Sequence, residues 1–488
     1  MRFISGKYTS GELLDNVRAV EDWITNHFVE RGPVSDEVLK SDMSKRLLDI
    51  SFGRNDCIFD NQGNPSIMVR IPETRLNMLD SSWGNALHPA FIVNGQAVSE
   101  LWVAKYQAFT VGSGASERAV VLRRRDPRAS VTFDQALTAC KQKGAGWHLM
   151  TNPEWALILN WCKTNGFWPR GNNNYGRDYS RNAEHGETSR LSGTAPGRVA
   201  TGTGPVGWSH DGSPFGIFDL NGNVWEWVGG LRLMDGEIQI LENNNAADNT
   251  KDQSAASEEW KAIMPDGSLV EPGTEGTLKY DATNVDGSGN IVLATSVVNQ
   301  TSGDPYASTV FRNLTARDVA APALLHQLGL FPKDTNYGTG TVYMRNLGER
   351  LPGRGGFWSR TSNAGVPSLY LSNPRSYSVY NIGFIHDLPT LGASFGATYR
   401  KQGDAYTRLL GEEVLIRYGG ELDVFVEKRF GTNVSVRLSA NNLLDASKDE
   451  FFDKFDTLQD QIDRDYDEYE LETEEAGPSY QLVMRWAF

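Results

Sequence analysis

The stretch at residues 355–384, GGFWSRTSNAGVPSLYLSNPRSYSVYNIGF, alternates scaffold positions with positions of a different composition. Its glycines permit tight backbone geometry. Leu369 and Leu371 are two residues apart, so they share one face of a predicted strand, and the residues between them project to the other face. The outward positions are Phe357, Ser359, Arg360, Tyr370, Ser372, Tyr377, Val379 and Tyr380. Rigid aromatics with hydroxyls and an arginine are also the composition of antibody paratopes. An ordinary half-exposed β-meander has the same pattern. The pattern alone therefore does not distinguish a binding face from a meander, and motifs elsewhere in the chain are needed.

Length and composition exclude several classes of protein. A chain of 488 residues is too long for one ordinary core and indicates two or three domains. The net charge of −14 argues against a nucleic-acid partner, because phosphate neutralisation needs a basic surface. The three cysteines are widely spaced without a C-x-x-C pair, so neither a disulfide framework nor a zinc site is expected. The first residues lack the pattern of a signal peptide, and the localisation stays open.

Residues 1–64 predict a helical N-terminal module. Thr9 and Glu12 form a capping-box pattern before an apolar stripe of helical spacing, and Ser35 is placed to cap a second helix. The stripes are Leu13, Val17, Val20, Ile24 and Phe28, then Val38, Leu39, Met43, Leu47 and Ile50. Such stripes indicate a packed helical pair. An oligomerisation or attachment module is the alternative.

From residue 65 to residue 242 the sequence is of the loop-rich α+β type, with short strand-like runs between Gly, Pro and Asn clusters. Thr132 with Gln135 predicts the start of a helix that ends at Gly144. Thr151 with Glu154 predicts the start of another that ends near Gly166. Residues 243–345 then form a polar insertion, for which we expect mostly loop and one short helix at 320–331.

Three motifs carry a resemblance to known proteins: WHLMTNPEW at 147–155, GIFDLNGNVWEW at 216–227 and RGGFW at 354–358. In this order they resemble the formylglycine-generating (sulfatase-modifying) family, whose domain is a divergent C-type lectin fold. Residues 65–384 more closely resemble the variable proteins of diversity-generating retroelements, which display a hypervariable ligand-binding face on that fold, with 355–384 as the variable region. In those systems template adenines are copied with errors, so AAC codons become codons for Tyr, Ser, Phe, Val or Arg. All eight outward residues are reachable in this way.

The resemblance also bears on catalysis. The family's oxidases bind copper through a pair of cysteines in the C-terminal part of the domain, and this chain has none after Cys162. Cys140 and Cys162 lie within predicted helices, where small buried side chains are the ordinary interpretation. We therefore expect a non-enzymatic protein. An oxidase that has lost its copper-binding cysteines is the alternative.

The resemblance further implies a structural calcium ion at Asn221, Gly222, Val224 and Glu226, although no cofactor is required. The alternative is that Asn221 and Glu226 satisfy buried backbone groups. The tryptophans of the motifs are expected in the core rather than on a sugar-binding face.

Residues 385–488 form strand-like runs and end in SYQLVMRWAF, in which Tyr480, Leu482, Met484, Trp486 and Phe488 share one face. This antiparallel β segment resembles the end of the outer-membrane barrel of TonB-dependent receptors. The abrupt junction at 384/385 predicts a chimeric sequence whose binding domain ends at Phe384. A natural fusion is the alternative.

Together these observations predict an α+β protein with a C-type-lectin-like domain that recognises a protein or glycan on another cell, of phage or bacterial origin. A receptor fragment of the outer membrane is the second alternative, and membrane association is expected only if the C-terminal segment is functional.

Overall fold

The computed structural model describes residues 10–300, 305–390, 393–401, 403–430, 434–475 and 477–486. The chain divides into two compact units, unit 1 (Met1–Thr390) and unit 2 (Leu391–Phe488). Two residues of the sequence-based predictions, Thr9 and Phe488, lie outside the described residues. In the described part of the chain, no helix combines the length and hydropathy needed to cross a bilayer.

The helices of the described residues are α1 (Ser10–Arg31), α2 (Glu37–Ile50), α3 (Leu76–Leu79), α4 (Phe133–Lys141), α5 (Asn152–Asn165), α6 (Ala323–Gln327) and α7 (Leu458–Asp463). The strands of unit 1 are β1 (Asn55–Phe59), β2 (Pro65–Pro72), β3 (Ile92–Val93), β4 (Gln96–Ala97), β5 (Glu100–Ala104), β6 (Phe109–Val111), β7 (Arg118–Val120), β8 (His148–Leu149), β9 (Leu191–Ser192), β10 (Ala195–Pro196), β11 (Trp225–Trp227), β12 (Leu231–Met234), β13 (Glu237–Leu241), β14 (Trp260–Ile263), β15 (Leu269–Val270), β16 (Lys279–Ala282), β17 (Ile291–Ala294), β18 (Ala307–Val310), β19 (Thr315–Ala316), β20 (Thr341–Met344), β21 (Glu349–Gly355), β22 (Gly365–Asn373), β23 (Ile382–Phe384) and β24 (His386–Thr390).

Two of the three helices predicted from capping boxes are confirmed at their starts, although α4 ends at Lys141, before the predicted Gly144. Thr132 caps α4 and Thr151 caps α5, and in each case the reciprocal side-chain bond of the box is present. Gly166 ends α5 in the left-handed conformation, as its position predicts. The cap of α2 is Asp36 rather than the predicted Ser35, because the Asp36 carboxylate accepts hydrogen bonds from two backbone amides of the first turn.

The N-terminal helices pack on the core of unit 1. Val17, Ile24 and Phe28 are buried, whereas Val38 of the predicted second stripe is exposed. The carboxylate of Glu21 accepts hydrogen bonds from the Lys105 ammonium at 2.6 Å and from the Tyr106 hydroxyl at 2.7 Å, and the Glu21–Lys105 ion pair is buried.

A five-stranded sheet has the order β1-β2-β5-β24-β8. In this sheet the last strand of unit 1, β24, lies between two strands from earlier in the chain, β5 and β8. Strand β24 pairs with β5 from Asp387 to Thr390 and with β8 at His386 and Asp387. Ile385 and His386 are completely buried. Unit 1 therefore continues to Thr390, six residues beyond the boundary expected at Phe384, because the residues after the junction supply an internal strand.

The larger sheet of unit 1 has the path β18-β20-β22-β21-β12-β13-β16-β17-β19, with four further strands attached. Its strands β14 to β20 all come from the insertion that was expected to be mostly loop, and Trp260, Tyr280 and Leu293 from these strands are fully buried. Loop makes up most of the described part of the insertion, as expected, but its short strands pack into the core of unit 1, which the sequence pattern did not predict. The strands are only two to four residues long, which is too short for an alternating pattern to be visible. The predicted helix at 320–331 is also shorter, being α6.

Unit 2 consists of two four-stranded antiparallel sheets, β25-β28-β29-β32 and β26-β27-β30-β31, with α7 between the last two strands of the second sheet. Its strands are β25 (Ala393–Lys401), β26 (Ala405–Leu409), β27 (Glu412–Tyr418), β28 (Gly420–Phe430), β29 (Val434–Asn441), β30 (Ser447–Lys454), β31 (Glu468–Glu475) and β32 (Ser479–Trp486). Tyr480, Leu482 and Met484 of the last strand are exposed.

Candidate functional site

The stretch at residues 355–384 is built on strand β22 and on the loops that flank it. Leu369 and Leu371 are fully buried, as predicted, and Tyr370 between them is partly exposed. Glycine is required at Gly365, which has φ of +143° and where a Cβ atom would overlap the carbonyl oxygen of Thr339. At Leu369, Tyr370 and Leu371 the burial therefore alternates as the sequence pattern predicts.

Seven of the eight predicted outward residues have at least partly accessible side chains: Phe357, Ser359, Arg360, Tyr370, Tyr377, Val379 and Tyr380. Ser372 does not face outward, since its side chain is 1% exposed and its hydroxyl has no hydrogen-bond partner. The register of β22 against β21 shifts between Leu351 and Gly353, and the simple alternation that placed Ser372 beside Tyr370 ends there.

The guanidinium of Arg360 lies between two aromatic rings, 4.9 Å from the centre of Phe357 and 5.1 Å from that of Tyr343. Tyr343 contacts Tyr370 with ring centres 5.3 Å apart, because Tyr343 of β20 and Tyr370 of β22 are paired neighbours in the parallel ladder. The buried ring of Trp225 also contacts Tyr370, with ring centres 5.2 Å apart. The arginine and the tyrosines therefore form one stacked group.

Three residues of this group come from the insertion and were missed by the sequence analysis: Tyr306, Tyr343 and Arg345. The ring of Tyr306 is 5.7 Å from that of Tyr343, and the Arg345 guanidinium is 5.5 Å from the Tyr306 ring. The alternation in TVYMR at 341–345 was the available signal, but nothing in the sequence said that this strand pairs with β22. Tyr306 and Arg345 are partly accessible, whereas Tyr343 is buried between its neighbours. We call the seven accessible residues together with these three the aromatic–arginine surface.

Burial raises the pKa values of Tyr343, Tyr370 and Tyr377, although the nearby guanidinium groups act in the opposite direction. The three phenols are therefore neutral and keep their hydroxyl protons. Tyr370 and Tyr377, which are partly accessible, can each donate one hydrogen bond to a ligand and accept others, whereas Tyr343 is buried.

One open groove adjoins the aromatic–arginine surface at Tyr380, and another is lined by residues of β18 and β20 among others. One has a volume of about 420 Å³ and is lined by Tyr380 together with Arg128, Arg190, Arg198 and Asp126, among others. The other has a volume of about 410 Å³ and is lined by hydroxyl and amide side chains that include Ser308, Thr341 and Asn363. Both volumes are within the usual range of ligand pockets.

The side-chain amide of Gln107 lies at the centre of the turn that was expected to hold calcium. The side-chain nitrogen of Gln107 donates to Glu226 Oε1 at 2.9 Å and lies 3.2–3.4 Å from the carbonyl oxygens of Asp219, Gly222 and Val224. The predicted ligand atoms of Gly222, Val224 and Glu226 thus converge, but on an amide group. Burial raises the pKa of Glu226 to about 8.

Asn221, the fourth predicted ligand, does not join them. Its side-chain oxygen accepts from Asn173 and its nitrogen donates to the carbonyl oxygen of Pro169. Gln107, the residue at the centre, is a buried glutamine that the sequence analysis did not single out.

A second buried polar group consists of His148, Glu154 and Asp387, whose possible ligand atoms lie within 4.8 Å of one another. Both ring nitrogens of His148 are engaged, Nδ1 with the carbonyl oxygen of Gly146 and Nε2 with Glu154, each at 2.9 Å. Burial lowers the pKa of His148, but the Glu154 carboxylate outweighs this and raises it. Burial and the same carboxylate raise the pKa of Asp387 well above its usual range. This group joins β8, α5 and β24 as a charged hydrogen-bond network inside unit 1.

The five tryptophans expected in the core, Trp147, Trp155, Trp225, Trp227 and Trp358, are all buried. Cys57, Cys140 and Cys162 are buried free thiols, and burial raises the pKa of each.

Residues 78–252 match the family model of the sulfatase-modifying factor enzyme 1-like domain. This match gives unit 1 a domain of C-type-lectin-like fold, with mixed helix and sheet. The matched range contains α4, α5 and β11 and ends before the aromatic–arginine surface. No curated protein matches the chain.

Proposed function

We propose that unit 1 is a non-enzymatic recognition protein that binds a protein ligand through the aromatic–arginine surface. The observation that carries the proposal is that the partly accessible Arg360, Phe357 and Tyr370 pack against one another through the buried Tyr343. Tyrosine, tryptophan and arginine are enriched at the energetic centres of protein interfaces. Rings that are already packed against one another lose little conformational entropy when a ligand binds.

The groove beside Tyr380 favours a ligand with an acidic group next to an apolar one. Three arginines line this groove, and its acidic residue, Asp126, is paired with Arg198. A carboxylate that contacts Arg190 would place neighbouring apolar groups of the ligand against Tyr380. A glycan with acidic sugars is the other ligand with this chemistry.

We further propose that the surface belongs to a variable protein of a diversity-generating retroelement. The support is that the accessible residues of residues 355–384 are of the types that adenine-directed mutagenesis produces, while the scaffold residues between them are buried. The burial of Ser372 removes one member from the set of display residues.

The absence of catalysis is part of the proposal. The three thiols are buried, and their raised pKa values disfavour the thiolate form that a soft metal such as copper requires. Copper binding by the purified protein, with loss in Cys140→Ser or Cys162→Ser, would favour the oxidase instead.

The recognition proposal is tested with labelled full-length protein and a panel of bacterial cells, before and after protease treatment of the cells. We expect binding to some cells, loss of that binding after protease treatment, and loss in Tyr370→Ser and Arg360→Ser while both variants remain folded at the assay temperature in a thermal melt. Tyr399→Ser and Arg46→Ser are matched controls, because both side chains are exposed outside the surface.

Binding that survives protease but is lost after glycosidase treatment would identify a glycan. Equal binding by all variants would refute the proposed surface.

A second candidate function concerns unit 2. Val426, Leu438 and Leu482 are neighbours across three strands and all are exposed, which favours contact with lipid, as in a fragment of an outer-membrane receptor. Recovery of the full-length protein in the membrane fraction would support this function, and its loss in Leu438→Ser with Leu482→Ser would locate the contact.

A further inference from the structure

We propose that in this chain the side-chain amide of Gln107 takes the place of a metal ion at the centre of the turn from Asp219 to Glu226, so that the turn folds without calcium. The proposal is independent of the recognition function, because it concerns how the scaffold beneath β11 is held.

The first argument is the coordination of the amide nitrogen. Its neighbours are one carboxylate oxygen and three backbone carbonyl oxygens, at 2.9–3.4 Å. Four oxygens of this kind are what a hard cation would use, but calcium requires oxygen distances of about 2.3–2.6 Å. The observed distances are those of hydrogen bonds to nitrogen.

The second argument is that the orientation of the Gln107 amide is fixed by the backbone. The amide proton of Val199 donates to the Asn223 side-chain oxygen at 2.9 Å, and the carbonyl oxygen of Val199 accepts from the Asn223 side-chain nitrogen at 3.2 Å. Because a backbone donor and acceptor cannot be exchanged, Asn223 has one orientation. Its nitrogen then donates to Gln107 Oε1 at 2.9 Å.

The consequence is that the NH₂ group of Gln107, rather than its oxygen, points at the four oxygens. Turning the amide over to offer an oxygen ligand would place two NH₂ groups against each other at Asn223. Gln107 and Asn223 are both fully buried, so the side chain has no solvent-exposed position to move to. A calcium ion would therefore have to displace a group that the surrounding structure holds in place.

The third argument is the predicted ligand Asn221, whose side-chain oxygen is engaged by Asn173 instead of pointing at the centre of the turn. With Asn221 turned away and an N–H donor at the centre, the residues present do not fit a bound cation.

The test measures the melting temperature of the full-length protein in millimolar calcium chloride and in excess EGTA. We expect the same value in both, and no terbium luminescence from the turn on excitation of the nearby Trp225 and Trp227. In Gln107→Glu the amide becomes a second carboxylate facing Glu226. We expect this variant to melt at lower temperature in EGTA and to regain about 3 °C or more with calcium. Gln96→Glu, at an exposed position, is the matched control and should not respond.

Each result decides the question. Calcium stabilisation of the wild-type protein that disappears in Glu226→Gln would overturn the proposal. Calcium stabilisation that persists in Glu226→Gln places the ion outside the turn, which supports the proposal. If Gln107→Glu does not fold in EGTA, its recovery by calcium during refolding is the supporting result, and the wild-type comparison remains decisive.

Discussion

The C-terminal boundary of unit 1 at Thr390 predicts which truncated chains will fold. A chain that ends at Thr390 keeps strand β24, whereas one that ends at Phe384 loses it. We expect the 1–390 chain to unfold cooperatively and the 1–384 chain not to fold. The two chains differ by only six residues, so their compositions are nearly the same and both can carry the same solubility tag.

The magnitude follows from what β24 contacts. Full burial of Ile385 contributes about 2 kcal/mol. The strand pairs at four positions with β5 and at two with β8, and each backbone hydrogen bond contributes about 1 kcal/mol. Its removal also leaves buried amides without acceptors, such as that of Met150, which donates to the Ile385 carbonyl oxygen. The combined loss is comparable with the whole free energy of unfolding of a domain, about 5–15 kcal/mol.

The assay is urea denaturation of the 1–390, 1–384 and full-length chains, followed by circular dichroism and tryptophan fluorescence. A cooperative transition of the 1–384 chain at the same midpoint as that of the 1–390 chain would refute the reasoning and restore the boundary at Phe384.

Three further predictions concern stability and are checked by denaturant titration. Glu21→Ala leaves its lysine partner buried and unpaired and should cost about 3–5 kcal/mol, while Glu30→Ala on an exposed turn of the same helix should cost under about 0.5 kcal/mol. Asp387→Asn should become more stable relative to wild type as the pH rises from 4 to 8. The raised pKa means that the native carboxyl binds its proton more tightly than the unfolded one, so stability present at low pH is lost on raising the pH, and the amide does not titrate. A constant difference across this range would contradict that assignment. Gly365→Ala should cost about 3 kcal/mol or more because it meets a backbone carbonyl, whereas Gly273→Ala, with a positive φ but open space around it, should cost about 1 kcal/mol; equal costs would argue against the steric explanation.

Local signals predicted the parts of the fold that depend on neighbours in sequence. The capping boxes at Thr132 and Thr151 gave the starts of two helices, because a cap is a property of four consecutive residues. The alternation of Leu369, Tyr370 and Leu371 gave the two faces of β22. The alternation failed at Ser372, because the shifted register of β22 against β21 determines whether this side chain is buried.

What the sequence could not provide was the pairing of distant segments. Tyr343 joins the aromatic–arginine surface because β20 lies beside β22, and Gln107 reaches Glu226 across more than a hundred residues. Asp387 looked like the first part of a foreign segment, yet its backbone pairs with β5. Each of these contacts depends on the tertiary fold and has no signature within a short window of sequence.

The central claim, a diversified recognition surface, is tested most directly by sequencing this gene from many cells of one population. We predict that amino-acid changes concentrate at the accessible positions of residues 355–384, which are Phe357, Ser359, Arg360, Tyr370, Tyr377, Val379 and Tyr380. The buried Leu369 and Leu371 should be constant, and the changes should trace to adenines of a nearby template copy. Changes spread evenly over the gene, or an invariant sequence at the seven positions, would contradict the claim.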